Sequence, residues 1–379
     1  MRRKKTAPRA PRNVGKRSAP AKSKGNGRPA GGVARAASRK RKEAKTAQSS
    51  RPKLLEVKDL HTHFFTQGRV IRAVDGVSFE VEAGETLAMV GESGSGKSVT
   101  ALSVMGLIPW PPGKIVAGEV WYGGRDLLKL TPEEMRKVRG KEIAMVFQEP
   151  MTSLNPVLTV ERQLTETLEA HEDLSKSALQ DKALEAMVWV GIPDPARRLG
   201  QYPHQFSGGM RQRVMIAMAL ICGPRLVLAD EPTTALDVTI QAQILALMQS
   251  LSERTGVSMV LITHNLGIVA RYADRVQVMY GGRIVEKGRA RDLYKRPRHP
   301  YTIGLLNSVP RLDEAEHSKL VPIEGQPPDL GLVYPGCKFA SRCRFAEPKC
   351  LEVDPPLLEV APGQWSACIK ADALPATGV

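Results

Sequence analysis

The apolar run Thr86–Val90 opens directly onto Gly91-Glu92-Ser93-Gly94-Ser95-Gly96-Lys97-Ser98, and a helix-patterned run, Val99–Leu107, follows at once. This order of strand, glycine-rich loop and helix constrains the fold more than any other stretch. Five residues without polar alternation read as a strand buried on both faces, which requires a sheet covered on both sides. The loop fits G-x-x-x-x-G-K-[ST]. Its glycines let backbone N–H groups face phosphate oxygens, and the helix behind presents its positive end to the same anion. Lys97 is thereby expected to reach the β and γ phosphates, and Ser98 to offer its hydroxyl to Mg²⁺.

Three further runs, Ile143–Phe147, Leu226–Ala229 and Met259–Ile262, have the same buried-strand texture. Helical patterns alternate with them. Ile240, Ile244, Leu247 and Leu251 step by four, three and four, and Gly256 follows as a stop. The alternation predicts an α/β core with a mainly parallel sheet. Between Thr152 and Cys222 no strand-like run occurs, and Ala178–Val190 sets Leu179, Ala183, Met187 and Val188 on one helical face. A helical subdomain over about 152–222 is therefore expected inside the core. From Arg296 proline becomes frequent and periodicity fades, so 301–379 is expected to form a small irregular domain needing a staple.

Charge is concentrated at one end. Residues 1–50 hold 17 Lys and Arg against the single acid Glu43, while the remaining 38 basic and 38 acidic residues cancel. The body therefore lacks the basic excess of a nucleic-acid-binding protein, and no specific nucleic acid is expected as partner. Residues 1–53, rich in Ala, Pro, Gly, Ser, Lys and Arg without apolar periodicity, are expected to be a disordered basic tail. No stretch of 18 apolar residues exists, so no membrane-spanning helix is expected. The Arg-rich start lacks the apolar segment of a secretory signal, and the body is expected to be cytosolic.

Asp230 and Glu231 end the apolar run Leu226–Ala229, where a carboxylate can reach a metal beside bound phosphates. Asp230 is the expected Mg²⁺ partner, and Glu231 is placed to polarise an attacking water as general base. Between loop and acids lies Phe206-Ser207-Gly208-Gly209-Met210-Arg211-Gln212-Arg213. This element resembles the signature of the ATP-binding cassette ATPases, usually Leu-Ser-Gly-Gly-Gln. The surrounding order resembles the family too: Gln148 after a strand, the signature, Asp230-Glu231, Ala235-Leu236-Asp237, then His264 at a strand end.

The resemblance implies a RecA-like P-loop core over 54–300, with amino-terminal antiparallel β elements. It also implies a head-to-tail pair of cassettes, in which Ser207, Gly208 and Gly209 cover the ATP held by the partner's loop. In such a family Gln148 senses the γ-phosphate and helps ligate Mg²⁺, and His264 holds the γ-phosphate and positions water. Asp237 communicates across the pair, and Phe64, about thirty residues before the loop, stacks on adenine, with Phe65 as the second choice. Phe206 and Met210 depart from the usual signature. Together with Gln148-Glu149-Pro150-Met151-Thr152-Ser153-Leu154-Asn155-Pro156 and His299-Pro300-Tyr301-Thr302, they resemble the ATPases of dipeptide and oligopeptide importers. Related importers of nickel or other small solutes share these segments. The partners so implied are two transmembrane permease subunits, a second ATPase and, indirectly, an extracytoplasmic solute-binding protein. The chain would then sit peripherally on the cytoplasmic side of the inner membrane. The opposing reading, a cassette acting on nucleic acid, would call for long coiled coils or a second cassette, and neither pattern occurs.

Cys337, Cys343, Cys350 and Cys368 are spaced C-x5-C-x6-C-x17-C. Four thiols in the least regular part of a cytosolic body argue for a metal centre rather than disulfides. The spacing lacks the tight C-x2-C pairs of zinc ribbons, and four thiolates also suit a [4Fe–4S] cluster. The pattern is similar to that of peptide-importer ATPases carrying such a cluster. Cluster, zinc and metal-free thiols all stay open.

Overall fold

The computed structural model describes residues 51–308, apart from residue 235, and residues 322–375. The basic segment 1–50 lies outside them. In chain order the strands are β1 (Lys53–Thr66), β2 (Arg69–Glu82), β3 (Thr86–Val90), β4 (Gly113–Tyr122), β5 (Arg125–Asp126) and β6 (Ile143–Val146). They continue with β7 (Leu226–Asp230), β8 (Ser258–Thr263), β9 (Arg275–Tyr280), β10 (Arg283–Arg289), β11 (Leu358–Ala361) and β12 (Gln364–Ser366). β1, β2, β4 and β5 make an antiparallel sheet in the order β2-β1-β4-β5. The larger sheet runs β11-β12-β10-β9-β3-β8-β7-β6, with β9, β3, β8, β7 and β6 parallel and the remainder antiparallel.

The parallel strands are buried on both faces, which is why they read as unbroken apolar runs. Leu226 and Leu228 of β7, with Val260 and Ile262 of β8, pack toward the antiparallel sheet against Val57, Val74 and Leu60. Val227 and Ala229, with Met259 and Leu261, face the opposite way into a core shared with the helices. β3 divides likewise: Leu87 and Met89 join the first side, Ala88 and Val90 pack with Tyr280, Tyr301 and Phe339.

Helices Val160–Glu169, Lys176–Trp189 and Gly208–Leu220 fill the interval between β6 and β7. Each starts on a side-chain cap: Thr159, Ser175 and Ser207 accept from the N–H groups of Arg162, Ala178 and Met210. Leu164, Leu168, Leu179, Ala183 and Met187 form their common buried face. Three local expectations are corrected. Val188 is exposed, turned about 100° past Met187, and Ala186 completes the buried face instead. β6 stops at Val146, and Phe147 is exposed. The helix after the phosphate loop ends at Val104, where the Met105 N–H closes the last turn, so Leu107 lies beyond it. The helix Val238–Thr255 ends on Gly256 in the left-handed conformation, as its stop signal predicts.

The described residues after Pro300 are more regular than their composition suggests. The helix Pro300–Asn307 packs into the core, and β12 pairs with β10 through Glu286↔Ser366 and Lys287↔Trp365. Among the described residues, no helix is long and apolar enough to cross a membrane.

Candidate functional site

β3 delivers the phosphate loop to the carboxyl end of the parallel sheet, beside the ends of β7 and β8. Gly96 meets the backbone so closely that a Cβ there would stand 2.4 Å from the Ala73 carbonyl oxygen, and its φ is +105°. No other residue type fits such a position without strain. Lys97 turns back over the loop and donates from Nζ to the carbonyls of Gly91 and Glu92, each at 2.9 Å. Burial lowers its pKa, against the pull of Glu231 and Asp230. The Ser98 hydroxyl donates to Asp230 Oδ1 at 2.9 Å. Burial raises the Asp230 pKa and the neighbouring Glu231 charge adds to it, while the Ser98 hydrogen bond opposes both. A hydroxyl and a carboxylate oxygen at one strand end form the hard oxygen set that Mg²⁺ prefers. The Ser95 hydroxyl, buried in the loop with no partner, adds a further unspent polar group.

Glu231 follows immediately with φ of +43°, a strained conformation for a non-glycine residue. Its N–H donates to the Ile262 carbonyl at 3.0 Å, which ties the turn to β8. Three side chains then converge on its carboxylate. Gln148 Nε2 and the Thr234 hydroxyl donate to Oε2 at 3.1 and 2.9 Å, and His264 Nδ1 lies 3.3 Å from Oε1. Gln148 and His264 come from different loops, so three strand ends meet at one carboxylate. Thr234 was not anticipated; its position three residues after Glu231 is the only hint in the sequence.

Phe64, Glu92, Ser93, Gly94, Gly96, Lys97, Ser98, Gln148, Glu231 and His264 line one cavity of about 980 Å³. Phe64 belongs to it, whereas Phe65 is exposed and packs edge-on against Trp110. Leu305, Ser308, Pro322, Ile323 and Leu330, all late in the chain, close another side. Ser207, Gly208, Gly209 and Asp237 do not line this cavity. Ser207 caps the helix Gly208–Leu220, and Asp237 caps the helix Val238–Thr255 through the Ile240 N–H at 2.9 Å. The two helix starts touch at Gly209, where a Cβ would lie 2.9 Å from Ile240 Cγ2.

The four late cysteines line a second cavity together with Phe339 and Phe345. Among the described residues no three of these thiols lie within 4.8 Å of one another. A single zinc ion with Zn–S bonds of about 2.3 Å would draw tetrahedral sulfurs to about 3.8 Å apart. Burial raises the pKa of Cys337 and Cys343 and pushes that of Cys368 up to about 11, with the neighbouring thiols adding to the effect.

Residues 74–234 match the ABC transporter family, and residues 285–350 match the oligopeptide/dipeptide transporter C-terminal region. A probable peptide ABC transporter ATP-binding protein of Sinorhizobium fredii is 54% identical over 319 residues, 84% of this chain and 95% of that protein. The dipeptide transport ATP-binding protein of Bacillus subtilis is 56% identical over 291 residues, 77% of this chain and 87% of its own length. A solved ATP-binding cassette, dimeric in a post-hydrolysis state with ADP and Pi, is 28% identical and covers 62% of this chain and 99% of its own, with a TM-score of 0.57. With its phosphate loop, converging Glu231 and carboxy-terminal region, the chain belongs to the ATP-hydrolysing, Mg²⁺-using ATP-binding proteins of the ABC transporter family.

Proposed function

We propose that this chain is the energy-coupling ATPase subunit of an importer of dipeptides or oligopeptides, working on the cytoplasmic face of two permease subunits beside a second ATPase. The observation that carries the catalytic part is the meeting of Gln148, His264 and Glu231 next to Lys97 and the Ser98–Asp230 pair. The peptide cargo is supported by the relatives named for peptide and dipeptide transport and by the matching carboxy-terminal region. An extracytoplasmic solute-binding protein would deliver the cargo. Residues 54–300 form the ATPase domain in this reading, with the helical subdomain at 152–222 and the extension at 301–379.

ATP lies with its purine against Phe64 and its phosphates on the loop Gly91–Ser98. Lys97 neutralises the β and γ oxygens. Ser98, Asp230 and Gln148 would hold Mg²⁺, which would supply positive charge to offset that of the phosphates. Glu231 accepts the proton of the attacking water, and His264 holds that water and the γ-phosphate in line. Ser207, Gly208 and Gly209 serve the partner's ATP, since they stand away from this chain's own cavity, and Asp237 borders the same junction.

The test uses the assembled transporter in vesicles. Wild type is expected to accumulate labelled di- or oligopeptide on ATP addition, and absence of peptide uptake sinks the cargo assignment. Glu231→Gln is expected to keep ATP bound, trap the ATPase pair and lower turnover by about a hundredfold or more. Turnover close to wild type removes Glu231 from the role of base.

Cys337, Cys343, Cys350 and Cys368 are proposed to hold a [4Fe–4S] cluster that staples the extension. A cubane takes thiolates from four separate irons, so its sulfurs stand further apart than those on one ion. Anaerobically purified protein is expected to carry iron, inorganic sulfide and a broad visible absorption band. Colourless, iron-free protein would falsify this assignment.

A further inference from the structure

The phosphate loop is held from the far end of the chain. Arg342, with only 4% of its side chain exposed, donates from Nη1 to Glu92 Oε2 at 2.7 Å and from Nη2 to Glu92 Oε1 at 3.0 Å. Its remaining contacts are the Tyr280 hydroxyl at 3.4 Å, the Ile323 carbonyl at 3.2 Å and the Glu324 carbonyl at 3.0 Å. These five acceptors match the five N–H groups of a guanidinium, so the planar fork has no second resting place. Glu92 is gripped at every polar group. Arg342 holds its carboxylate, its N–H donates to the Tyr301 hydroxyl at 2.7 Å, and its carbonyl receives Lys97 Nζ. The same guanidinium fixes the backbone of Ile323, which also lines the cavity.

We propose that Arg342 is a positioning residue for ATP binding: it clamps Glu92, on whose carbonyl Lys97 is anchored, and sets the Ile323 wall of the same cavity. It touches no substrate. The inference rests on the reading of Gly91–Ser98 as the ATP site. Without Arg342 the Glu92 carboxylate stands unpaired beside the triphosphate, and both loop and wall lose their tether. Glu231, Gln148 and His264 are untouched, so the loss falls on nucleotide affinity rather than on the chemical step.

The experiment measures MgATP hydrolysis by the full chain in the assembled transporter, and nucleotide binding by the full chain. Arg342→Gln is expected to raise KM for MgATP about tenfold, with kcat within about threefold of wild type. Adding Glu92→Gln removes the stranded carboxylate but restores neither tether, so the double variant is expected to recover only part of the lost affinity. An unchanged KM, a fall in kcat alone, or strictly additive losses in the double variant each overturn the proposal. If Arg342→Gln does not fold, Arg342→Lys takes its place, keeping the charge but not the fork. It is expected to raise KM about threefold, and a wild-type KM overturns the proposal. Lys97→Ala separates this inference from the reading beneath it. Intact nucleotide binding in Lys97→Ala sinks the site assignment. Loss of binding there, with wild-type affinity in Arg342→Gln, sinks only the positioning role.

Discussion

Single residues at the site are constrained by backbone crowding as much as by charge. Gly96 combines φ of +105° with an approach that leaves no space for a Cβ against the Ala73 carbonyl. Gly96→Ala therefore has to displace either the loop or β2. Strain of about 1–3 kcal/mol is expected, which corresponds to about a five- to 150-fold loss of ATP affinity if it is relieved by moving the loop. Titration of the variant with a fluorescent ATP analogue checks this, and wild-type affinity would show that the loop yields without cost. The glycines and Lys97 were legible in the sequence because their geometry is local. The Arg342–Glu92 pair was not, because 250 residues separate the partners and nothing periodic marks either one. Tyr301 lies in the segment His299-Pro300-Tyr301-Thr302, yet its hydroxyl's acceptance of the Glu92 N–H depends on tertiary packing alone.

Elements meet at a buried carboxyl. Glu286 of β10 is fully buried, and its Oε1 accepts from the Arg298 N–H at 2.7 Å and from Gln364 Nε2 of β12 at 2.9 Å. Burial pushes its pKa up to about 7, against the hydrogen bonds that it accepts. The nearby His299 is held neutral, burial lowering its pKa to about 3, and Arg298 spends its guanidinium on Asp372 and the Ala371 carbonyl. Because the folded pKa is raised, the folded state binds more protons than the unfolded chain between the ordinary carboxyl value of 4.5 and about 7. Stability from this group is thus highest below pH 4.5, falls as pH rises and levels off above 7. Glu286→Gln keeps the acceptor and removes the ionisation. It is expected to gain about 3 kcal/mol at pH 8, several degrees in Tm, with no gain near pH 4.5. Melting curves at the two pH values check this, and an equal shift at both would assign the effect to packing. At this scale the strands and the helix ending at Gly256 were legible because burial on both faces and a glycine stop leave local marks. β11 and β12 were not, because three- and four-residue strands borrow their order from the neighbour that they join.

Across the whole molecule the late residues are woven into the early ones. Lys338 and Arg283 both reach Asp75 of β2, and Arg69 pairs with Asp329. Composition marked the stretch after Arg296 as irregular, and by local pattern it is. Its order comes from long-range partners that no window of sequence contains. The order of motifs, by contrast, was enough to anticipate a parallel core carrying the loop, the acids and His264 at one end, since each motif lies where a strand stops. The pairing of β12 with β10 has one more consequence. A chain ended after Asn307 would leave the backbone groups of Glu286 and Lys287 facing outward, an open seam onto which a second copy could add a strand. In the intact chain the outermost strand is instead the four-residue β11, which carries Glu359 and is too short to template much. Pairing with β12 thus covers a strand edge that would otherwise stand open to edge-to-edge association.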